Sequence, residues 1–566
     1  MTSSVVEWVA FQEAVPKLLP TPFLPRLFLS VTSRLYYVSA LVVFSTAFAA
    51  FGQAPALSGS VPAVPNPAGA GQGMAGFVPP APHVNAPLGN IPHMPGDGAG
   101  AYKTGVYRDL FAEAGHSPAE TKAKIEKAFQ QLFHGDAMAE RVYFEAGSNQ
   151  NGPLAYITDW ANNDARTEGM SYGMMIAVQM DKKHEFDALW NWSNTYMRIT
   201  DPNNPEYGFF AWSMNTDGTP RSAGAAPDGE QYYAMALLFA AHRWGNGQGI
   251  YNYQEQADRI LHEIVHHTSA PLTGPFKVHP DDPPMAPGAR SFSSPNNTER
   301  QQSQADLAIE LKGEGKAPAG VGGRFGGGGG FGGGGFGGAG GARPAPRPTT
   351  GGPMMEPEYY MPRFTAGVGP SATDASYHLP GFYELFARWG PAEDREYWAK
   401  AADVSRDMFP RVVGANTGLS PDRNNFDETE IPGRDGQPTS FGYDSWRTVS
   451  NWSVDYSWWH KAPQEQVLSD RIQQFLIGQS ISTFPDRYTL DGKPLSSRHS
   501  IGMLAATTAG GLAATKGPTE KAFVEELWRT PIPNGDQRYF DGILYIMNML
   551  HASGNFRIIE SQGARK

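Results

Sequence analysis

Six polar side chains stand at or near the predicted starts of alternate helices, where side chains from different helices could meet around one cleft. They are Glu168, Asp228, Asp374, Asp444, His499 and Asp541. Carboxyl groups gathered in this way suit general acid–base chemistry, in which one group donates a proton and another activates water. Each Asp could simply cap its helix, because Asp is a favoured N-cap residue. Glu is not favoured there, and Glu168 follows the polar run Asn162–Arg166, so Glu168 is the strongest single candidate.

The elements that must position these residues are helical. From residue 117 onward, apolar residues recur with the helical period, and no comparably strong run of alternating strands is found. The second helix and every other helix after it are apolar or small-residue throughout, whereas the rest carry charge on one face, so buried and outer helices should alternate. The predicted helices cover residues 117–133, 167–180, 183–197, 230–244, 253–267, 377–389, 392–411, 444–459, 465–480, 499–514, 520–530 and 539–554.

The connections between these helices alternate in length as well. Those that lead into the apolar helices are long, whereas those that leave them are about two to eight residues, as in helical bundles. Parallel inner helices, each followed by an antiparallel outer helix, would produce this pattern and gather the long loops on one face. The sequence therefore predicts an all-α fold, an (α/α)6 barrel of six inner and six outer helices. Its site should lie on the long-loop face, because loops on a rigid scaffold commonly carry function.

Four segments resemble the motifs of glycoside hydrolase family 8. They are NNDARTEGMSYGMMIAVQM at 162–180, APDGEQYYAMALLFAAHRWG at 226–245, DASYHLPGFYELFARWGP at 374–391 and FGYDSWRT at 441–448. The resemblance covers about residues 100–560, apart from a Gly-rich stretch, and is greatest to the reducing-end-xylose-releasing exo-oligoxylanases. It implies an inverting hydrolase that releases xylose from the reducing end of β-1,4-linked xylo-oligosaccharides. An endo-acting β-1,4-glucanase, xylanase or chitosanase of the same family is the alternative.

The resemblance also implies roles for three carboxyl groups: Glu168 as the general acid, Asp444 as the general base, and Asp228 as the group that holds the sugar at the cleavage point. Such hydrolysis needs one protonated and one ionised carboxyl group. Burial and repulsion from Asp228 would raise the pKa of Glu168, whereas helix N-termini favour the ionised form of the two aspartates. Asp374 in TDASYHLP is the rival base, but the YDxxR pattern favours Asp444.

Aromatic faces and hydrogen-bonding groups should surround a bound sugar. Trp446 is a further stacking candidate, although Trp446 and Trp452 could instead fill the core, and Arg447 could instead pair with a carboxylate. By resemblance, His499 in RHSIGMLA corresponds to a position that recognises the reducing-end sugar; a capping or core histidine is the alternative. The residues expected to bind substrate are Trp160, Arg166, Trp212, Tyr443, Arg447 and His499.

The run HEIVH, from His262 to His266, is a literal HExxH pattern on a predicted helix. In zinc peptidases such a helix places two histidines on zinc, with the glutamate, here Glu263, as the base. Short patterns arise by chance and this helix is an amphipathic outer one, so a zinc metallopeptidase is only a remote alternative. We otherwise expect no metal and no cofactor. A carbohydrate-binding protein without catalysis is disfavoured, because both candidate carboxylates are present.

Composition limits the class of protein and its partners. With 40% hydrophobic and 18% charged residues, the chain of 566 residues suits a globular protein. The net charge of -11 argues against a nucleic-acid partner, which requires a basic surface. We expect an oligosaccharide or polysaccharide as the partner, and a monomer. The absence of cysteine excludes disulfides and cysteine-based zinc sites.

Three segments differ in composition from the helical region. Residues 1–52 form a signal-like leader, in which Arg34 precedes an apolar run and an A-x-A site, so we expect export to the periplasm or the exterior. No stable membrane partner is expected unless the leader is retained. Residues 53–100 read as a Pro/Ala/Gly linker. The catalytic domain spans 101–566 and contains a disordered Gly-rich insertion at about 313–353.

Overall fold

Helices are the main elements of the computed structural model, which describes residues 98–268, 274–284, 351–364, 372–432 and 439–561. Two short helices, α1 (Ala101–Thr104) and α2 (Leu110–Ala114), come first. The outer helices are α3 (Pro118–His134), α5 (Lys183–Trp192), α7 (Tyr253–His266), α9 (Arg395–Val412), α11 (Pro463–Gly478) and α13 (Pro518–Arg529). The inner helices are α4 (Thr167–Gln179), α6 (Pro227–Trp244), α8 (Pro380–Trp389), α10 (Arg447–Trp459), α12 (Ile501–Ala509) and α14 (Phe540–Ala552).

The alternation of inner and outer helices follows from the sequence pattern. In α4, every residue from Gly169 to Gln179 is buried, whereas the buried residues of α3 lie on one face. Proline stands at the start of five of the twelve helices, where its fixed φ suits the first turn. The twelve predicted helices are all present with small shifts at their ends, and the (α/α)6 barrel is confirmed.

A small antiparallel sheet, whose first three strands precede α4, was not predicted. It contains β1 (Tyr143–Asn149), β2 (Gly152–Asp159), β3 (Asp164–Arg166) and β4 (Ser213–Met214), in that order. The pairing of β1 with β2 changes register between Glu145 and Ser148, where β1 has one extra residue. This bulge interrupts the alternation of inward and outward side chains along β1, which is the pattern that would have predicted a strand. β3 leads directly into α4, and the sheet therefore fixes the start of the helix that carries Glu168.

Three similar turns build up the long-loop face. Each closes with a backbone hydrogen bond from residue i to residue i+4, at Asn215–Thr219, Asn425–Thr429 and Thr489–Lys493. They follow or extend the two-residue strands β4, β8 (Asn424–Asn425) and β10 (Tyr488–Thr489). Two of these strands pair with segments just before inner helices: β8 with β7 (Ala372–Thr373) and β10 with β9 (Ser440–Phe441). The remaining pair is β5 (Met355–Glu356) with β6 (Met361–Pro362).

A buried charge cluster joins α8, α9 and α10. The guanidinium of Arg406 donates 2.7 Å hydrogen bonds to both carboxylate oxygens of Asp455 and to Glu384. All three side chains are almost completely buried. Buried charges must be paired to be tolerated, so this cluster holds three helices in one arrangement.

The described residues belong to a single compact unit. Among them, none of the helices has the length and apolar character required to cross a bilayer. The predicted leader at 1–52, nearly all of the 53–100 linker and residues 313–350 of the predicted insertion lie outside the described residues.

Candidate active site

Arg447, at the start of α10, is the centre of a cluster of carboxyl groups. Its Nη1 donates hydrogen bonds of 2.8 Å to Oε2 of Glu168 and 3.1 Å to Oδ2 of Asp228. Its Nη2 lies 3.5 Å from Oδ1 of Asp444. Three side chains that are far apart in the sequence, and that belong to α4, α6 and the turn before α10, therefore meet at one end of the barrel. The three predicted catalytic carboxyl groups are thus brought together.

The remaining donors of Arg447 also bind protein groups. Nη1 contacts the hydroxyl of Tyr172 at 3.0 Å, and Nη2 contacts Oγ of Ser376 at 3.1 Å. The side chain is only 2% exposed. These contacts fit the alternative, in which Arg447 pairs with the neighbouring carboxylates, and substrate binding by Arg447 stays a prediction.

Glu168 occupies the first turn of α4, and both of its carboxyl oxygens have a donor. The hydroxyl of Tyr539 donates to Oε1 at 2.8 Å, and Arg447 donates to Oε2. Burial raises the pKa of Glu168 to about 7, with Asp444 and Asp228 adding to the rise and Arg447 opposing it. A carboxyl group with this pKa carries its proton over part of the neutral range, as a general acid must.

Asp228 and Asp444 differ in exposure. Asp228 lies inside the first turn of α6, rather than before the helix as predicted, and its side chain is 8% exposed. Burial raises its pKa, with Asp444 adding to the rise and Arg447 opposing it. Asp444 lies in a 3-10 turn, Tyr443–Trp446, and its side chain is 35% exposed. Asp444 is therefore the carboxyl group of the three that water reaches most easily.

Asp374, the rival base, is engaged in capping a helical turn. It caps the 3-10 turn Ala375–Tyr377, where Oδ1 accepts a 2.7 Å hydrogen bond from the backbone of Ser376. Its side chain is buried, and burial together with the charge of Asp444 raises its pKa well above the usual range. A base must reach the attacking water, and Asp374 is buried and engaged in a cap, whereas the Asp444 side chain is 35% exposed, so the geometry favours Asp444.

Arg166 and Trp212 lie beside the start of α4. Arg166 pairs with Asp159 at 3.2 Å and with Asp164 at 3.1 Å, and its guanidinium lies 5.5 Å from the ring centre of Trp212. The carbonyl of Trp212 accepts a hydrogen bond from the backbone of Thr167. Both predicted substrate residues are partly exposed and adjoin the turn that carries Glu168.

The other predicted aromatic residues have different surroundings. The guanidinium of Arg538 lies 3.9 Å from the ring centre of Trp160, so one face of that ring is covered. Tyr443 precedes Asp444 and has a φ of 52°, which is uncommon for a residue other than glycine. Trp446 and Trp452 are completely buried and donate their indole N–H groups to protein acceptors, so both fill the core.

His499 and Asp541 are held by neighbouring protein groups. Nδ1 of His499 lies 2.9 Å from the carbonyl of Phe484, and the two rings meet edge to face. The helix begins at Ile501 with Ser500 as its cap, so His499 lies just before the observed start of α12. Asp541 accepts hydrogen bonds from Ser500 and Arg498, which indicates that it joins α12 to α14.

Tyr539 and Ser376 are site residues that were not predicted from the sequence. Tyr539 directly precedes α14, and Ser376 lies in the DASYHLP motif. Both positions are near the starts of inner helices. They share this placement with the predicted carboxyl groups, so a search of helix starts that included hydroxyl groups could have found them.

Comparison with known proteins identifies the same family that the four sequence motifs resemble. The model of the family described as "Glycosyl hydrolases family 8" matches residues 148–276 and 365–554. The reducing-end xylose-releasing exo-oligoxylanase Rex8A of Paenibacillus barcinonensis is 36% identical over 464 residues, which are 81% of this chain and 99% of that protein. Endoglucanase 2 of Ruminiclostridium josui is 22% identical, over 70% of this chain and 65% of that protein.

A solved structure is also similar over most of the chain. The crystal structure of a GH8 xylobiose complex from Teredinibacter turnerae is 41% identical, covers 81% of this chain and 99% of that chain, and superposes with a TM-score of 0.66. The family match argues against the alternative that the chain is a zinc peptidase. The HExxH residues of that alternative lie on the outer helix α7. The chain belongs to glycosyl hydrolase family 8 and is a glycoside hydrolase.

Proposed function

We propose that this enzyme releases xylose from the reducing end of β-1,4-linked xylo-oligosaccharides by an inverting reaction, with Glu168 as the general acid and Asp444 as the general base. One observation carries the assignment of roles: the two carboxyl groups contact the same guanidinium but differ in environment. Glu168 is mostly buried and has a pKa of about 7, whereas Asp444 is more exposed. A buried carboxyl group with a raised pKa suits the general acid, and a carboxyl group that water reaches suits the general base.

The proposed reaction proceeds in one displacement. Glu168 gives its proton to the glycosidic oxygen as the bond from that oxygen to the anomeric carbon breaks. Asp444 takes a proton from a water molecule, whose oxygen attacks the anomeric carbon from the opposite face. Inverting enzymes leave room for this water by keeping the two carboxyl groups roughly 6.5–9.5 Å apart. Exchange of protons with solvent then restores the starting states of both groups.

Arg447 has a positioning role in this mechanism. Its positive charge lies between Glu168, Asp228 and Asp444, and it offsets the repulsion among three carboxyl groups that would otherwise be close together without a counter-charge. Asp228 is held at 3.1 Å from Nη1 and is the candidate for binding a hydroxyl of the sugar at the cleavage point. Arg447 thus opposes the rise that burial causes in the pKa of Glu168 and of Asp228.

The relatives support the choice of substrate. Three of them carry the name reducing-end xylose-releasing exo-oligoxylanase and are 32-36% identical over most of the chain. Endoglucanase 2 of Ruminiclostridium josui, which matches over 70% of this chain, is only 22% identical. Xylo-oligosaccharides are therefore the substrate that we propose, ahead of glucan or chitosan.

An endo-acting xylanase of the same family is the second candidate. The observation that favours it is the 41% identity to the Teredinibacter turnerae structure, because a related structure from that organism is described as a xylohexaose complex of a xylanase. Both candidates use the same carboxyl groups. They differ in whether the cleft is closed beyond the reducing-end sugar, where His499 is the residue that we propose to recognise that sugar.

Product analysis distinguishes the two candidates. Purified enzyme is incubated with xylohexaose and with its reduced, alditol-ended form, and products are followed by chromatography from the first few per cent of turnover. The exo proposal predicts xylose and xylopentaose as first products, poor turnover of the alditol, and a weaker preference in His499→Ala. Tyr488→Phe, in the neighbouring strand β10, is a matched control that should retain the preference. Early xylotriose and xylobiose with equal turnover of the alditol would instead establish endo action.

Export of the enzyme is a further proposal. It is supported by the basic residue Arg34, the apolar run after it and the A-x-A site at Ala47–Ala49. Expression of the full chain in a bacterial host, followed by fractionation and N-terminal sequencing of the recovered enzyme, tests it. Recovery of uncleaved protein from the cytoplasm alone would contradict export.

A further inference from the structure

We propose that His262, His266 and Asp394 form a binding site for a divalent transition-metal ion such as Zn²⁺ on the outer side of the barrel. The ligand atoms of the three side chains all lie within 4.8 Å of one another. None of them belongs to the carboxyl cluster around Arg447. The site would be a structural one, in addition to the hydrolytic site, and it departs from the expectation that the chain holds no metal.

The two histidines have the spacing that places side chains on one side of a helix. His262 and His266 are four residues apart on α7, and their ring centres are 4.7 Å apart. Imidazole nitrogen is a ligand that suits Zn²⁺, Cu²⁺ and Ni²⁺. Both rings are exposed, so an ion can reach them from solvent.

Asp394 supplies the observation that points to a ligand. It ends the 3-10 turn Ala392–Asp394, directly before α9, and its side chain is 2% exposed. Oδ1 lies 2.5 Å from Nε2 of His266, whereas Oδ2 is buried and has no hydrogen-bond partner among the described residues. A buried carboxylate oxygen without a partner is rare in folded proteins. A bound cation would satisfy this carboxylate.

The resulting ligand set matches a zinc site with an open position. Zinc is bound by histidine nitrogen at about 2.0–2.1 Å and by carboxylate oxygen at about 2.0–2.2 Å, in a tetrahedral arrangement. Three protein ligands leave one position for water. Because His262 and His266 belong to α7 and Asp394 directly precedes α9, the ion would join two outer helices that are consecutive in the barrel.

The geometry does not support peptidase chemistry at this site. Glu263, which would have to act as the base, places Oε2 2.8 Å from Nδ1 of His267. The other ring nitrogen of His267 is 2.8 Å from the carbonyl of Pro205. Glu263 is therefore engaged by a different histidine, and the HExxH pattern supplies two ligands without a base.

Calorimetric titration of the full chain with ZnCl2, after treatment with a chelating resin, tests the proposal. We expect one saturable ion per chain, a rise of the melting temperature with zinc, and unchanged turnover of xylo-oligosaccharide. His262→Ala and Asp394→Asn should each weaken zinc binding by about tenfold or more, because even indirect partners of metal ligands contribute about 10–100-fold. His134→Ala is the matched control, since His134 is a single histidine 3.1 Å from the carboxylate of Glu185 on another part of the outer layer.

His262→Ala decides the outcome if the buried Asp394 variant does not fold, because His262 is exposed. Absence of saturable binding to the unaltered chain would overturn the proposal. Binding that is unchanged in His262→Ala, or lost equally in His134→Ala, would assign the ion to another place and would overturn it as well.

Discussion

The hydroxyl of Tyr539 donates a 2.8 Å hydrogen bond to Oε1 of Glu168, while Arg447 donates to Oε2 of the same carboxyl group. Both contacts favour the ionised form of Glu168, whereas burial favours the protonated form and prevails. Glu168, the proposed acid, therefore has a raised pKa although Tyr539 and Arg447 both donate hydrogen bonds to it. The resulting pKa of about 7 can be moved in either direction by changing one neighbour.

Replacing Tyr539 by Phe should move the alkaline limb of the pH–rate profile upward. The unaltered enzyme should lose kcat/KM as the pH rises through about 7, because Glu168 then loses the proton that it must donate. Without the hydroxyl, the ionised form loses a donor, so the pKa of Glu168 rises further. Tyr545→Phe in α14 is the control, because its buried hydroxyl has no hydrogen-bond partner among the described residues. An alkaline limb that stays in place in Tyr539→Phe would contradict the role assigned to this hydroxyl.

Glu168→Gln and Asp444→Asn should each lower kcat by a factor of about 10²–10⁴, as for loss of a general acid or base. NMR of fresh products from the unaltered enzyme should show inversion at the newly formed anomeric centre. Azide should not restore activity to Asp444→Ala with a retained product. Asp374→Asn is informative, because its loss of activity should be much smaller if Asp444 is the base. A retained β-anomer would refute the single-displacement mechanism.

Gly229→Ala should reduce activity and stability together. A Cβ at Gly229 would lie 2.5 Å from Cβ of Thr167 and 3.0 Å from its carbonyl carbon, so α6 and α4 would have to separate. Glu168 and Asp228 adjoin this contact, and small displacements of catalytic groups are costly. Gly478→Ala, where nothing lies within 4 Å of the added carbon, is the matched control. Full activity of Gly229→Ala would show that the two helices tolerate separation.

Arg406→Met should lower the free energy of unfolding by about 3–5 kcal/mol, because it leaves the buried carboxylates of Asp455 and Glu384 without their main partner. The measurement is urea unfolding at neutral pH. Arg529→Ala should change the free energy of unfolding by at most about 1 kcal/mol, since Arg529 forms an exposed pair with Glu526 on α13. Equal effects of the two variants would mean that the buried cluster contributes little.

Deleting residues 318–347 should leave the melting temperature and the turnover of xylo-oligosaccharide nearly unchanged. The segment is rich in glycine, and it falls between the two parts of the chain that match the family model. Thermal unfolding and product analysis of the deletion variant check this prediction. A large loss of stability would show that the insertion contributes to the fold.

The sequence by itself determined the twelve helices, their alternation and the face on which the carboxyl groups lie. These properties depend on local patterns: helical periodicity, the apolar character of each helix and the lengths of its connections. The strand Tyr143–Asn149 could not be recognised in the same way, because an extra residue between Glu145 and Ser148 breaks the alternation that identifies a strand, and Gly152–Asp159 is buried without regular alternation.

Only the tertiary structure decided what each polar residue contacts. Arg447 lies 279 positions from Glu168 in the sequence, and their hydrogen bond exists because the barrel brings the first turns of α4 and α10 to the same end. The same packing buries Asp374 and leaves Asp444 accessible, although both have equally suitable local sequences. It also brings Tyr539 to Glu168. Burial and the distances between distant side chains determine pKa values, and neither is encoded in a local pattern.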